Sequence, residues 1–588
     1  MIRCILLIFF FVIIPHNVLS CDKIVIRNQE DFNSLNQQIL SALEGDGKQI
    51  VINIKPGTYY YNNDQIKLED KNFPEKTIII NGKGAIILSS GKQYKKGDKF
   101  GQVFSDNHAF VSEDYYLIPI WSGVKLAKGQ IEVLDEKTKL CRLYYGSIND
   151  LKEEDSRHSR IYILHWFQKS RYSIKKIENG YVYFTAVDLK KNIGEGWNVN
   201  DDYNYGKLPN VRFLTCNVKS EEDVLRIENG RLILPQGISK VHECTAARFC
   251  MIRNSSFKRI VFADITVVGN FWDGKDYLIE LEHNNIGSTS LNRCIFKCME
   301  GDIIGIGKTA NVSVFNCDFK DCYRGCVHSD INSPNTHIYN CSFTNVGLEF
   351  ENSYIVKCQG NNYLIANNQF QDYGHCAIRV GYGGNKDNSQ RVAGIIENNT
   401  VRYTRDYINK NKDGMLMDNG AIYVGTQNDS AIIRNNYISG HCGMKDNRGI
   451  FLDDGAYNVE IYGNFITGII NSYCLDSRRV SSVETTGSRG NNVKRSNVNN
   501  RIYNNVFDGT IRFEAREGEN NGCVLGVNYF LVENKQSIMP TSVYSNIDTN
   551  GKEVSVFVKN RKSEKIYVSE SDFRLIRRIH SWRYLKKD

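Results

Sequence analysis

The chain has 588 residues, a formal net charge of +8, 11% aromatic residues and only 8 prolines. This length exceeds the usual size of a single hydrophobic core, so we expect a solenoid or several domains. The aromatic content, which includes 33 tyrosines, argues against a disordered chain. Part of the positive charge is concentrated at the C-terminus. The rest of the sequence has no cluster of basic and aromatic residues typical of nucleic-acid binding, so we predict no nucleic-acid partner.

The first twenty residues have the pattern of a secretory signal. Arg3 precedes an apolar run, residues 5–14, that is too short to cross a bilayer, and Ser20 precedes Cys21. Cys21 lies where bacterial lipoproteins are lipidated, and cleavage there without lipidation is the alternative. We therefore predict an exported protein that is either secreted or held at the cell surface, in the outer membrane or periplasm. A lipid anchor at Cys21 is its one predicted membrane contact.

Residues 30–44 have apolar side chains at helical spacing, and a strand, turn and strand follow over residues 50–59. The helix is predicted to cap the open end of a solenoid. Alternating segments after it predict an inserted antiparallel β domain. The predicted divisions are a signal peptide (1–20), a cap with the first coils (22–91), the inserted β domain (92–237), a parallel β-helix carrying the site (238–515) and a C-terminal extension with a basic tail (516–588).

One short phrase, typically an aromatic residue, Asn, Cys or Asn, a variable residue and an apolar residue, recurs eight times between residues 290 and 510. A period of about twenty-odd residues made of short alternating strands and Asn or Gly turns, lengthened in places by loops, indicates a parallel β-helix. The predicted fold is therefore all-β, a right-handed parallel β-helix with a capping helix and the inserted domain. The fixed position of the phrase falls on Cys294, Cys317, Cys341, Asn368, Asn399, Asn436, Asn464 and Asn505.

The cysteines of this column are predicted to be small buried side chains stacked inside the solenoid. Two CxxxC pairs, Cys294 with Cys298 and Cys322 with Cys326, lack a second pair or histidines at ligand spacing. We predict no metal and no cofactor.

Each repeat contains a second strand ahead of the phrase. Aligning these strands with one another shows which residues share an outer face. Its inward position is predicted to hold Val327, Val356, Ile378, Ile422, Ile450 and Cys474. Side chains alternate along a strand, so the next residue points outward. That outward column is predicted to hold His328, Lys357, Arg379, Tyr423, Phe451 and Leu475, with its polar members facing solvent.

Acidic residues follow two of these strands. Asp453 and Asp454 end one strand, and Asp418 and Asp446 precede neighbouring ones. Paired carboxylates are what glycoside hydrolysis requires, one protonated to release the leaving oxygen and one ionised to activate water or attack carbon. The residues predicted to bind the sugar are Lys357, His375, Arg379, Tyr423, Asp446 and Phe451. Asp-Asp-Gly and Asp-Asn-Gly are also common turn sequences, so a structural role is the alternative.

Three successive segments, from Asp418 to Tyr423, from Ile433 to Ile438 and from Gly449 to Gly455, together resemble the signature of the bacterial β-helix glycoside hydrolases. This group lies in the pectate-lyase-like superfamily and includes α-galactosidases, β-xylosidases and α-fucosidases. Residues 163–166 and 171–174 resemble the inserted β domain of that group. The resemblance implies that Asp418, Asp453 and Asp454 supply the acid and base. Phe451 stands where the group usually has tyrosine, and the loop over residues 439–447 is longer than usual.

The predicted function is thus an exported glycoside hydrolase acting on a polysaccharide or other glycan. One alternative is a polysaccharide lyase, in which Lys357 and Arg379 abstract a proton beside a uronate carboxylate and neutralise that carboxylate. The other is a carbohydrate-binding protein or adhesin without catalytic activity.

Overall fold

The computed structural model describes residues 21–548 with gaps, the longer of which are 100–108, 113–123, 145–159, 186–209, 215–224, 271–276, 348–353, 382–391, 405–419, 441–447, 479–499, 515–522 and 531–541. Within these residues the chain winds through three long sheets in a fixed order, sheet I, then sheet II, then sheet III. Each strand pairs in parallel with the equivalent strand one coil away. The predicted fold class, a parallel β-helix, is confirmed.

Sheets I and II are joined by short corners. In the described part of the chain, sheet I has fourteen strands: Cys21–Ile26, Gln49–Ile54, Asn72–Asn81, Ser256–Ala263, Asn285–Asn292, Val312–Phe315, Thr336–Tyr339, Tyr363–Ala366, Gly394–Glu397, Ile432–Arg434, Glu460–Tyr462, Asn500–Tyr503, Cys523–Leu525 and Ser542–Val543. Sheet II has thirteen described strands: Gly57–Tyr60, Ala85–Leu88, Thr266–Asn270, Ile295–Met299, Asp318–Cys322, Ser342–Val346, Gln369–Tyr373, Thr400–Arg402, Tyr437–Ser439, Phe465–Thr467, Val506–Phe507, Asn528–Phe530 and Asn546–Asp548.

Sheet III carries the predicted outward column. Its eleven described strands are Ile66–Glu69, Cys250–Arg253, Ile279–Glu282, Ile304–Gly307, Val327–Ser329, Tyr354–Cys358, Cys376–Val380, Ile422–Val424, Arg448–Leu452, Tyr473–Arg478 and Thr510–Glu514. The inward residues of all three sheets form one continuous hydrophobic core, which includes a stack of phenylalanine rings in sheet II at centroid distances of 5.1, 4.8 and 4.6 Å.

The repeated phrase is the corner between sheets I and II. Its second residue has a positive φ, as in Asn316 at 54° and Asn435 at 56°, a conformation that asparagine tolerates better than most residues. The next residue points inward. Cys294, Cys317 and Cys341 are 1–2% exposed there, as predicted. Each also donates its thiol to a backbone carbonyl of an earlier strand of sheet I, at Sγ to oxygen distances of 3.5–3.7 Å.

Two short helices close the N-terminal end where the sequence predicts one. Helix α1 spans Gln29–Asn33, helix α2 spans Leu35–Glu44, and Ser34 separates them. Asn28 caps α1 by accepting a hydrogen bond from the Asp31 amide at 2.9 Å. The apolar side chains Phe32, Leu35, Ile39 and Leu43 are all 0–1% exposed. They cover the inside of the first coil, and no described helix is long and apolar enough to cross a membrane.

The chain leaves the solenoid after Ala85–Leu88 in sheet II and re-enters at Cys250–Arg253 in sheet III. Between them lies a seven-stranded antiparallel sheet made of Val124–Lys128, Ile131–Asp135, Leu140–Tyr144, Arg160–His165, Gln168–Glu178, Tyr181–Thr185 and Asn210–Leu214. Two smaller antiparallel sheets accompany it, one of Lys92–Lys95, Ala109–Ser112 and Lys240–Cys244 and one of Arg226–Glu228 and Arg231–Ile233. Because Cys250 pairs directly with Ile66, the insertion leaves sheet III in register.

Candidate functional site

The connections that vary in length flank sheet III, whereas the described corners from sheet I to sheet II keep two residues between their strands from Asn292 onward. The chain runs from sheet III to sheet I through residues 381–393 and 479–499, and from sheet II to sheet III through 403–421 and 440–447. Loops on a rigid scaffold are where binding and catalytic groups concentrate. The outer face of sheet III is therefore the candidate site.

The register on this face is largely the predicted one. His328 pairs with Lys357, Lys357 with Arg379, Arg379 with Tyr423 and Tyr423 with Phe451. The prediction is wrong in the next coil, where Phe451 pairs with Asp476. The inward partner of Ile450 is accordingly Leu475 and not Cys474. Cys474 and Leu475 are both apolar, so alternation of side chains could not fix a register that a one-residue slip reverses.

The part of the outward column formed by Arg379, Tyr423 and Phe451 is buried, whereas the sequence predicts that the polar members of the column face solvent. Arg379, Tyr423 and Phe451 are 6%, 5% and 0% exposed. The Arg379 guanidinium lies 3.9 Å from the centre of the Tyr354 ring and 5.0 Å from that of Tyr423. The Phe451 ring meets the Tyr423 ring edge to face at 5.1 Å. These aromatic rings pack against each other and against Arg379, so their faces are not open to solvent.

Asp476, which the sequence analysis missed, is fully buried in the next coil. It accepts hydrogen bonds from Arg448 Nε at 2.5 Å and from Arg512 Nε and Nη2 at 2.9 and 2.6 Å. Arg448 is 2% exposed, and its guanidinium lies 3.9 Å from the centre of the Phe451 ring. A buried charge needs partners of this kind, so we assign this cluster to the support of the site.

Asp453 ends the strand Arg448–Leu452 and is 3% exposed. Its backbone amide donates to the Val424 carbonyl at 2.8 Å, which extends the parallel pairing by one residue. Its carboxylate Oδ2 accepts a hydrogen bond from the Tyr423 hydroxyl at 2.5 Å. The structure thus brings together Arg379, Tyr423, Phe451 and Asp453. The other predicted site residues, Asp418, Asp454, His375 and Asp446, lie outside the described residues.

An open cleft of about 340 Å³ lies on the same face, in the coils that precede Arg379. Its lining includes Tyr277, Glu280, His328, Asp330, Lys357 and Gln359. The Tyr277 ring lies over Gly305, where a Cβ atom would come within 2.3 Å of the ring. Glycine at this position therefore makes room for the aromatic wall of the cleft. Of the lining residues, only Lys357 is among the predicted site residues.

Two side chains of the cleft are uncharged. His328 Nε2 lies 2.7 Å from the Tyr354 carbonyl, which can only accept, so this nitrogen carries the proton. His328 Nδ1 then accepts from the Tyr277 hydroxyl at 3.4 Å. Burial lowers the pKa of His328, although the nearby Asp302 opposes that shift. Burial likewise raises the pKa of the Tyr277 hydroxyl. His328 and Tyr277 therefore offer polar contacts without net charge at neutral pH.

The carboxylates of the cleft are held by their own surroundings. Burial raises the pKa of Glu280, but its hydrogen bonds from Arg253 at 2.5 Å and Arg248 at 2.8 Å outweigh burial, and the pKa is lowered overall. Asp330 Oδ1 accepts from the Lys308 and Asn332 amides and from the Ser333 hydroxyl, at 3.1, 2.9 and 2.6 Å. These bonds shape the turn after the strand Val327–Ser329.

Lys357 projects into the cleft beside Arg379. Burial and, to a lesser extent, the charge of Arg379 lower the pKa of its ammonium group to about 8, although Asp302 and Asp330 oppose the shift. Lys357 makes no hydrogen bond or ion pair with any residue that the structure describes. Among the described side chains no group of three or more His, Cys, Asp or Glu is placed to hold a metal ion.

The sheets and the site define a parallel β-helix protein with a loop-flanked face on sheet III. No family model and no curated protein matches the chain. One similar solved structure is a glycoside hydrolase, with 10% identity and a TM-score of 0.43, covering 90% of this chain and 96% of that one. Another is the Gp54 tailspike of Acinetobacter baumannii bacteriophage AP22 in complex with A. baumannii capsular saccharide, with 8% identity and a TM-score of 0.25, covering 88% and 73%. These values are too low to transfer site residues from either protein.

Proposed function

We propose that this protein is an exported glycoside hydrolase that cleaves a glycan on the outer face of sheet III, with Asp453 as its ionised carboxylate. The observation that carries the proposal is the 2.5 Å hydrogen bond from the Tyr423 hydroxyl to Asp453 Oδ2. A donated hydrogen bond favours the charged form of a carboxylate and fixes its direction. Asp453 is thereby suited to attack the anomeric carbon or to activate a water molecule.

The burial of this pair supports the same role. Asp453 is 3% exposed, and the Arg379 guanidinium lies 5.0 Å from the centre of the Tyr423 ring that orients it. In a poorly hydrated site a negative charge interacts more strongly with the positive charge that develops on the sugar ring in the transition state. The proton for the leaving oxygen would come from Asp418 or Asp454, the other two aspartates of the sequence signature.

The experiment measures hydrolysis by the purified mature protein of aryl galactosides, xylosides and fucosides, and the release of reducing ends from polysaccharides. Asp453→Asn should lower kcat about 100- to 10,000-fold, because a positioned ionisable group contributes about that much. Tyr423→Phe should lower kcat roughly 10-fold, because one hydrogen bond to a charged group is worth about 1.5–3 kcal/mol, part of which water restores.

A matched control is Asp318→Asn, which changes a half-buried carboxylate in sheet II and should leave kcat unchanged. All variants must keep the thermal unfolding transition of the parent protein. The proposal fails if the parent protein hydrolyses none of the glycans, or if Asp453→Asn retains full activity. Glycan binding that survives in both cases would identify a carbohydrate-binding β-helix without catalytic activity.

A further inference from the structure

Among the described residues, the Lys357 ammonium group has none of the partners that a partly buried charge normally has. It projects into the 340 Å³ cleft and makes no hydrogen bond or ion pair with the described residues. The equivalent residue in the next coil is the cation Arg379, so two positive charges are neighbours on one sheet. Partly buried charges are normally paired, because losing water without gaining a partner is costly. The missing partner is therefore expected in a ligand.

The nearby carboxylates are already engaged. Asp302 accepts from Arg324 Nε at 3.2 Å and from the Gly325 amide at 2.9 Å. Asp330 Oδ1 accepts from two donors of its own turn and from the Lys308 amide of the preceding coil, and Glu280 is bound by Arg248 and Arg253. These acids reduce the positive potential of the cleft as a whole. They form no ion pair with Lys357, so the three N–H groups of its ammonium group have no acceptor among the described residues.

We propose that the cleft is a subsite for a carboxylate-bearing sugar, with the carboxylate bound by Lys357 beside Arg379. This inference rests on the proposed glycan function and adds a substrate class, an acidic oligosaccharide or polysaccharide. Gln359 and the remaining oxygen of Asp330 line the same cleft and are placed to bind ring hydroxyls. The Tyr277 ring supplies an apolar wall for the sugar.

The subsite is distinct in position from Asp453. Lys357 lies three coils before the strand that Asp453 ends, through Arg379, Tyr423 and Phe451. Adjacent strands are about 4.8 Å apart, so the separation along the solenoid is about 14 Å. That distance fits a short oligosaccharide and exceeds a single sugar ring. The substrate is accordingly expected to lie along the solenoid axis across several coils.

The test measures binding by calorimetry with Asp453→Asn protein, so that turnover does not interfere. The probes are oligosaccharides of galacturonate, glucuronate, mannuronate and guluronate and a sialylated oligosaccharide, each compared with its carboxyl-reduced form. At least one acidic probe should bind 10-fold or more tighter than its reduced form. Adding Lys357→Met should abolish that difference, whereas Lys357→Arg should keep most of it because the charge remains.

Lys320→Met, on sheet II, is the control for loss of a lysine and should leave binding unchanged. The proposal is overturned if no acidic probe binds better than its reduced form, or if Lys357→Met binds as well as the parent. An unsaturated product that absorbs in the ultraviolet, lost in Lys357→Arg protein that carries the native Asp453, would instead make Lys357 the base of a lyase. Because binding is measured without turnover, failed hydrolysis and a failed subsite give separate results.

Discussion

At the scale of single residues, the outer face of sheet III contains two kinds of charge. Asp453 and Asp476 are buried beside donors that stabilise them, the Tyr423 hydroxyl in one case and two arginines in the other. Lys357 is partly buried without such a partner among the described residues. Sites that bind ligands often keep a polar group unsatisfied, because the ligand completes it and the free protein bears the energetic cost.

Replacing Lys357 by methionine should therefore stabilise the protein, and the gain should depend on pH. The folded protein has a Lys357 pKa of about 8, against the ordinary value of 10.5 in the unfolded chain. Below pH 8 both states bind the proton, and burial of the charge costs stability. Between pH 8 and 10.5 the unfolded state binds more protons, so the stability of the parent protein rises with pH in this window.

We expect Lys357→Met to raise the free energy of unfolding at pH 7 by about 1–3 kcal/mol, since one pKa unit corresponds to about 1.4 kcal/mol and solvent in the cleft reduces the effect. The gain should fall away as the pH rises from 8 to 10.5. Urea unfolding at several pH values measures it, with Lys320→Met as the control. A variant that is equally stable or less stable than the parent at pH 7 would contradict this account.

At the scale of elements, the corner between sheets I and II depends on two adjacent positions with different requirements. The first adopts a positive φ and faces outward, while the second is buried. From Asn368 onward the buried amides form a ladder, in which each Oδ1 accepts the backbone amide of the preceding corner at 2.9–3.0 Å. The repeated phrase places these asparagines in one column, but their hydrogen bonds and the direction of those bonds required the structure.

The ladder predicts that two substitutions of Asn436 lower the stability of the protein by different amounts. Asn436 in this ladder is fully buried. Its Oδ1 accepts from the Asn399 amide at 3.0 Å, and its Nδ2 donates to the Ile396 carbonyl at 3.0 Å. Asn436→Leu leaves the Asn399 amide and the Ile396 carbonyl without this partner. It should lower the free energy of unfolding by roughly 2–5 kcal/mol, since each unsatisfied group costs about 1–3 kcal/mol. Asn436→Cys should cost less, because the thiol can still donate, as Cys341 does to Val314.

Thermal and urea unfolding compare the two variants, with the exposed Asn285→Ala as a control that should change stability little. Equal losses for Asn436→Leu and Asn436→Cys would show that volume, and not hydrogen bonding, determines the cost.

At the scale of the whole molecule, a solenoid must protect its ends. Helices α1 and α2 place Phe32, Leu35, Ile39 and Leu43 against the inside of the first coil. Each unpaired end of a β-helix offers a hydrophobic core and open strands to other chains. The chain leaves the solenoid for the inserted antiparallel sheets at one corner, between sheets II and III. The core therefore remains continuous from the cap to the strands of the candidate site.

Leu35→Asp should therefore open the capped end and cause association. Its side chain is 0% exposed, and burying a carboxylate there without a partner costs several kcal/mol. We expect light scattering and size-exclusion chromatography to detect aggregates of this variant at concentrations where the parent remains monodisperse. Gln37→Asp, on the exposed side of the same helix, should behave like the parent. A monodisperse Leu35→Asp protein would show that α2 does not protect the end.

The sequence by itself determined the winding of this protein. A repeated corner and alternating side chains are local properties, so they predicted the parallel sheets, the buried cysteines of the corner column and the neighbours from His328 to Phe451. Only the tertiary structure decided which of these outward residues are open to solvent. The exposure of an outward side chain depends on which other residues pack over its face. Alternation along a strand shows the direction of a side chain but not what covers it. For the same reason only the tertiary structure showed the closed aromatic face around Tyr423 and the cleft at Lys357. It also placed Asp476 and not Leu475 beside Phe451, because two adjacent apolar residues left the register of that strand undefined in the sequence.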